Sequence, residues 1–158
     1  MNNPRELEIE FRVKLILLSL KNSTELDSIK NNYLELLKIK PTWPYFYSGL
    51  LQVNQIAEND DLSFIEESMR FGPHETKIIK SLAEVLFYRW RDVDGSKKLL
   101  LLNYLTEQSN HNVSNSIKVA SKFGQVNTIC DYLFEKYAEK NAVCLKNYWK
   151  PLVNERKK

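Results

Sequence analysis

Lys40-Pro41-Thr42-Trp43-Pro44-Tyr45-Phe46 is the stretch on which the fold turns. A proline disfavours the α conformation in the residue before it, so a helix arriving at Lys40 must stop there. The segment Pro41–Pro44 then opens a new helix, because a proline in a first helical turn removes an N–H that would have had no partner. Upstream, Leu26, Ile29, Tyr33, Leu36 and Leu37 recur at spacings of three and four behind the cap candidates Asn22-Ser23-Thr24-Glu25. Downstream, Phe46, Gly49, Leu50, Val53 and Ile56 form the next apolar face.

The same reading extends to both ends. Asn3-Pro4 followed by Leu7, Phe11, Leu15 and Leu18 predicts a first helix from about Pro4 to Leu20, against which the helix ending at Lys40 packs. Leu62, Ile65 and Met69 follow the Asn59-Asp60-Asp61 turn in a fourth helix, closed by Gly72-Pro73, where Gly72 is the flexible capping residue. A fifth is expected over about His74–Arg91. It buries Ile78, Ile79, Leu82, Val85, Leu86 and Trp90 and turns Lys77, Lys80, Glu84 and Arg91 outward. Asp94-Gly95-Ser96 starts a sixth helix that ends near Ser109, and the polar loop Asn110-His111-Asn112 leads to a seventh with Val113, Ile117, Ala120 and Phe123, ended by Gly124. Val126, Ile129, Leu133, Phe134 and Tyr137 mark an eighth, and Val143, Leu145, Tyr148 and Trp149 a last short helix or turn before Pro151.

Composition agrees with an all-α chain of about eight or nine helices. The 158 residues, 43% hydrophobic and 27% charged, suffice for one core, hence a single domain over 1–158 with a basic tail from about Lys150. Four Gly and five Pro are too few for the turns of a β-sandwich or for a Gly-rich phosphate cradle. The runs Leu15–Leu18 and Leu99–Leu102 fall far short of the roughly 20 residues of a spanning helix. No direct membrane insertion is expected. Arg5, Glu6, Glu8 and Glu10 before the first apolar stretch and Lys21-Asn22 after it argue against a secretory signal. A net charge of +3, with Lys and Arg scattered among Asp and Glu and concentrated only at Arg156-Lys157-Lys158, speaks against nucleic acid as a partner.

Pro41 and Pro73 stand 32 residues apart (73 − 41), each closing one helix and opening the next. That is near the tetratricopeptide period of about 34, in which helix pairs bury their apolar faces only against neighbouring pairs. Leu50 and Leu82 take matching places after the two prolines, whereas Ser63 and Arg70 stand where that repeat has its small residues. The resemblance implies a right-handed, tetratricopeptide-like array of antiparallel helix pairs. A second resemblance runs from Leu36 to Trp149. Pro41-x-Trp43-Pro44-Tyr45, Gly72-Pro73-x-Glu75, Trp90, Phe123-Gly124, Cys130 and Cys144 look like the VpsP-type accessory proteins of bacterial exopolysaccharide biosynthesis. It implies a small, non-enzymatic helical protein, with an N-terminal membrane anchor and its repeat domain outside the cytoplasm. No such anchor is read here, so the resemblance implies a periplasmic domain whose anchor is missing; otherwise the cytoplasm is expected.

Candidate chemistry is sparse. His74, in a first helical turn, and His111, in a loop, have no nucleophile or orienting carboxylate at a telling spacing, and no catalytic residue or cofactor is expected. Cys130 and Cys144 lack a neighbouring Cys or His pair, so no metal is expected. For these cysteines two buried thiols are the first reading and a disulfide the second. A turn at Ala138–Asn141 would set the two at different heights, while the oxidising compartment implied by the resemblance favours the bond. Trp43, Tyr45, Phe46, Tyr47, Phe87, Tyr88 and Trp90 give aromatic density that is read mainly as core, with Trp90 as a wedge between helix pairs. In the repeat geometry the first helix of each pair lines the concave face. There Tyr45, Ser48, Gln52 and Gln55, then Lys77, Lys80 and Glu84, form a polar, partly basic groove. The expectation is a scaffold that binds a protein partner in exopolysaccharide or envelope assembly, or alternatively a module that binds the polysaccharide itself.

Overall fold

The computed structural model of the chain describes residues 7, 14, 23–57 and 62–147. Of the helix expected over Pro4–Leu20 these include Leu7 and Lys14, both helical. The turn at Asn59-Asp60-Asp61 and the chain from Tyr148 onward, with its basic tail, lie outside them. Among the described residues the fold is all-α, with eight α-helices, one 3-10 turn and no strand. No helix among them is long and apolar enough to cross a membrane.

The chain divides after Ser81 into two compact units. In the first, α1 (Ser23–Ile39) buries Leu26, Ile29 and Tyr33 against Phe46, Leu50 and Val53 of α2 (Pro44–Ile56), with Trp43, Ile56 and Phe64 packed at the edge. Lys40 still donates to the Leu36 carbonyl, after which Pro41 has no N–H to give. Trp43, ahead of Pro44, adopts the extended conformation (φ −84°, ψ 105°) that a following proline favours. Gly49 sits where α2 meets α1 because nothing larger fits: a Cβ there would lie 2.5 Å from Cζ of Tyr33.

The short helix α3 (Ile65–Phe71) packs on α2 and holds Tyr47 between Phe64 and Phe71, with ring centroids 6.2 and 5.6 Å away. Gly72 ends α3 for a reason other than the expected one. Its φ of −132° is open to any residue, and what demands glycine is space, since a Cβ would meet Pro44 and Ile78 side chains at 2.9 Å.

Helix α4 (Thr76–Tyr88) begins in the first unit and ends in the second. It stops three residues short of the expected Arg91, because the Val93 N–H and the Asp92 N–H both turn back to the Arg89 carbonyl. Trp90 is therefore not the buried wedge that its spacing suggests. It lies half-buried in that turn, stacked on Phe87 at 6.4 Å and covered by the Lys98 ammonium at 4.7 Å; Phe87 is the buried ring.

The second unit continues with α5 (Gly95–Thr106), α6 (Asn110–Lys122), α7 (Val126–Lys136), a 3-10 turn (Ala138–Lys140) and α8 (Asn141–Asn147). Asp94 caps α5 by accepting the Lys97 N–H at 3.0 Å, and Ser109 caps α6 by accepting the Asn112 N–H at 3.4 Å. Asn110-His111-Asn112 is thus the first turn of α6 rather than a loop, since the serine before it supplies the missing acceptor. Gly124 takes φ +69° and ends α6, with the Gln125 N–H reaching back to the Ala120 carbonyl at 2.9 Å. Phe134 and Leu145, which fit the apolar spacing, face solvent at 58% and 54% exposure.

Cys130 of α7 and Cys144 of α8 are both buried and joined by a disulfide, with their Cα atoms 5.9 Å apart. The expected offset does not arise. The backbone leaves helical geometry at Tyr137 (φ −137°, ψ 67°), one residue before the turn, and the 3-10 segment takes up the difference in height.

Candidate functional site

Two of the groove residues expected on α2 are bridged in the first unit to Glu75, just ahead of α4, and to Ser81 on α4. The Tyr45 hydroxyl donates to Oε2 of Glu75 at 2.8 Å, and the Gln52 amide donates to the Ser81 hydroxyl at 3.1 Å. The Lys77 ammonium stands 5.7 Å from the centroid of the Tyr45 ring, within range of its negative face. Trp43 extends the patch, its ring tilted against Tyr45 at 5.7 Å and covered by the Lys40 ammonium at 5.4 Å. Lys40, Glu75, Lys77 and Lys80 are exposed and Tyr45, Gln52 and Gln55 half-buried, so amide, phenol, carboxylate and ammonium groups share this edge.

Of the other expected residues, Ser48 is buried and donates its hydroxyl to the Tyr45 carbonyl at 3.1 Å, one helical turn back, and Glu84 lies half-buried on α4, one turn beyond Lys80. Four residues join that the groove reading left out: Lys40, Trp43, Glu75 and Ser81. Glu75 had a signal in its place three residues after Gly72, whereas Ser81 shows itself only through its contact with Gln52.

A second polar cluster lies in the second unit. The Tyr132 hydroxyl and the Lys136 ammonium both donate to Oδ1 of Asn103, and the Tyr137 hydroxyl donates to Glu107 at 3.1 Å. Lys140 donates to the Thr106 and Gln108 carbonyls at 2.7 and 2.9 Å, where a cation complements the C-terminal end of α5. The hydrogen bond with Tyr132 raises the pKa of Lys136, and partial burial followed by the Glu107 contact raises that of Tyr137. Both groups keep their protons near neutrality, which suits fastening better than proton transfer.

The two histidines lie at helix N-terminal ends. His111 has Nε2 3.2 Å from the Asn115 amide nitrogen, a partner that neither supplies nor removes a proton at neutral pH. His74 is exposed ahead of α4. Among the described residues no three His, Cys, Asp or Glu side chains converge as a metal site would need. No protein-family model, curated protein or solved structure matches the chain.

Proposed function

We propose that this chain is a non-enzymatic protein-interaction scaffold, a tetratricopeptide-like right-handed array of helix pairs of the VpsP-type kind, which assembles components of bacterial exopolysaccharide biosynthesis or of the envelope. What carries the reading is a recurring step of about one repeat between helices lying side by side. In the first unit Tyr45 of α2 meets Glu75, just ahead of α4 and 30 residues on, and Gln52 meets Ser81 of α4, 29 on. In the second, α5 meets α7 through Asn103 with Tyr132 and Glu107 with Tyr137, again 29 and 30 residues apart. There the end of α4 also meets that of α6, Tyr88 packing edge-on against Phe123 at 5.7 Å. First helices beside first helices, and second beside second, are what stacked pairs require.

In this reading Tyr45, Gln52, Gln55, Lys77 and Lys80 hold an acidic, extended segment of a protein partner. Lys77 and Lys80, one turn apart on α4, supply the charge. Cross-linking mass spectrometry on the partner captured from the native host tests it. Partner peptides joined to Lys77 and Lys80, and lost with Lys77→Glu/Lys80→Glu while the melting temperature holds, are expected. Cross-links confined to other faces would move the interface, and binding to a glycan array without any protein partner would favour the polysaccharide module.

A further inference from the structure

We infer that Glu75 is a built-in competitor for the proposed binding face: its carboxylate occupies the Tyr45 hydroxyl until a clustered acidic segment of the partner displaces it. This role rests on the acidic-ligand reading above and adds how that face is regulated. Glu75 stands just ahead of α4, exposed, and accepts the Tyr45 hydroxyl at 2.8 Å. The Lys77 ammonium lies 5.7 Å from the centroid of the same phenol ring. The Trp43 ring, 5.7 Å from that of Tyr45, has the Lys40 ammonium over it at 5.4 Å. A carboxylate of the chain itself thus already takes the hydroxyl donor that an incoming carboxylate would meet beside these cations.

A phenol hydroxyl held by a carboxylate is a charge-assisted hydrogen bond, stronger than one to a neutral acceptor. Because Glu75 is tethered to the same chain, it competes at a local concentration on the order of millimolar, which a dilute, single carboxylate does not overcome. A segment with several carboxylates also engages Lys77 and Lys80, both exposed and one turn apart on α4, and this second engagement offsets the exchange at Tyr45. No covalent bond changes. Tyr45 keeps its proton and turns it from Glu75 to the ligand. The displaced carboxylate passes into water just ahead of α4, where the positive N-terminal end of the helix still favours it. Glu75 therefore weakens the uptake of every acidic ligand and leaves the face to those that make further contacts.

Fluorescence anisotropy of the full chain with fluorescein-labelled hexaglutamate as the probe tests the competitor. Glu75→Gln should bind the probe at least about threefold more tightly than the native chain, the scale of one exposed charged contact. Most of this gain should disappear when both chains carry Tyr45→Phe, because the contested hydroxyl is then gone. Glu66→Gln, which removes an equal charge from an exposed residue of α3, should leave binding unchanged. A gain that persists in the Tyr45→Phe background, or that Glu66→Gln reproduces, would show that only net charge matters and overturn the competitor. Binding that Lys77→Glu/Lys80→Glu abolishes while Glu75→Gln leaves it unchanged would overturn the competitor and keep the acidic-ligand reading. Absence of binding by the native chain and by Glu75→Gln alike would overturn both.

Discussion

Tyr33 of α1 and Gly49 of α2 are fitted so closely that a methyl group on the glycine would sit 2.5–2.8 Å from the phenol ring. Tyr33 is 1% exposed and has Phe46 at 6.3 Å on its flank, so the ring has little room to yield. Gly49→Ala should therefore destabilise the protein by about 1–3 kcal/mol, the usual range for overpacking, despite alanine's better helix propensity. Gly95→Ala is the control, because a Cβ at Gly95 meets nothing within 4 Å. That variant should be neutral or gain up to about 1 kcal/mol, and urea unfolding of the pair separates the two cases.

Phe87, not Trp90, is the fully buried ring at the end of α4. Phe87→Ala removes a ring that is 2% exposed and should cost about 3–5 kcal/mol. Trp90→Ala removes a half-buried ring lying on Phe87 beneath Lys98, and should cost clearly less. Equal losses in chemical denaturation would restore Trp90 as a wedge.

How far the sequence could be read follows from these cases. Proline acts locally, by removing an N–H and restricting the residue before it, which is why the end of α1 and the start of α2 were legible at Lys40-Pro41 and Pro44. The end of α4 was not. Trp90 continues the apolar spacing from Leu86, and only the turn closed on the Arg89 carbonyl removes it from the helix. Phe134 and Leu145 likewise fit a stripe but face outward, since periodicity identifies a face without saying whether another element covers it. In the candidate site, Tyr45, Gln52 and Lys77 were legible from position on their helices. Their partners Glu75 and Ser81 follow from how α2 and α4 lie side by side, which no local pattern encodes.

Asp94 ties stability to acid pH. The Ser96 hydroxyl first, and then the Lys97 N–H, hold its pKa below the ordinary value of 3.8. A depressed carboxylate favours the folded state above its unfolded pKa, and this contribution is lost as pH falls through the lower, folded value. As pH falls below about 4, the melting temperature should drop more steeply in the native chain than in Asp94→Asn, which keeps a capping oxygen but cannot titrate. Identical slopes would mean that Asp94 plays no part in acid unfolding.

Lys140 closes the C-terminal end of α5 from a distant point in the chain. Its ammonium donates to the Thr106 and Gln108 carbonyls, 34 and 32 residues upstream, and lies 5.2 Å from the Tyr137 ring centroid. Lys140→Met keeps the length and the apolar stem but takes the donors away, leaving two carbonyls at a helix end without this partner. A loss of about 1–3 kcal/mol is expected, as for hydrogen bonds from a charged group in a partly buried setting. The loss should be local in origin: hydrogen exchange should rise first at the end of α5 and in the 3-10 turn, before α6 or the disulfide-linked part of α7. Lys140→Arg retains the charge and donors with a different reach, and its recovery of part of the stability would distinguish the contact from the mere length of the side chain. A Met variant as stable as the native chain, with unchanged exchange in the turn, would show that water satisfies both carbonyls equally well.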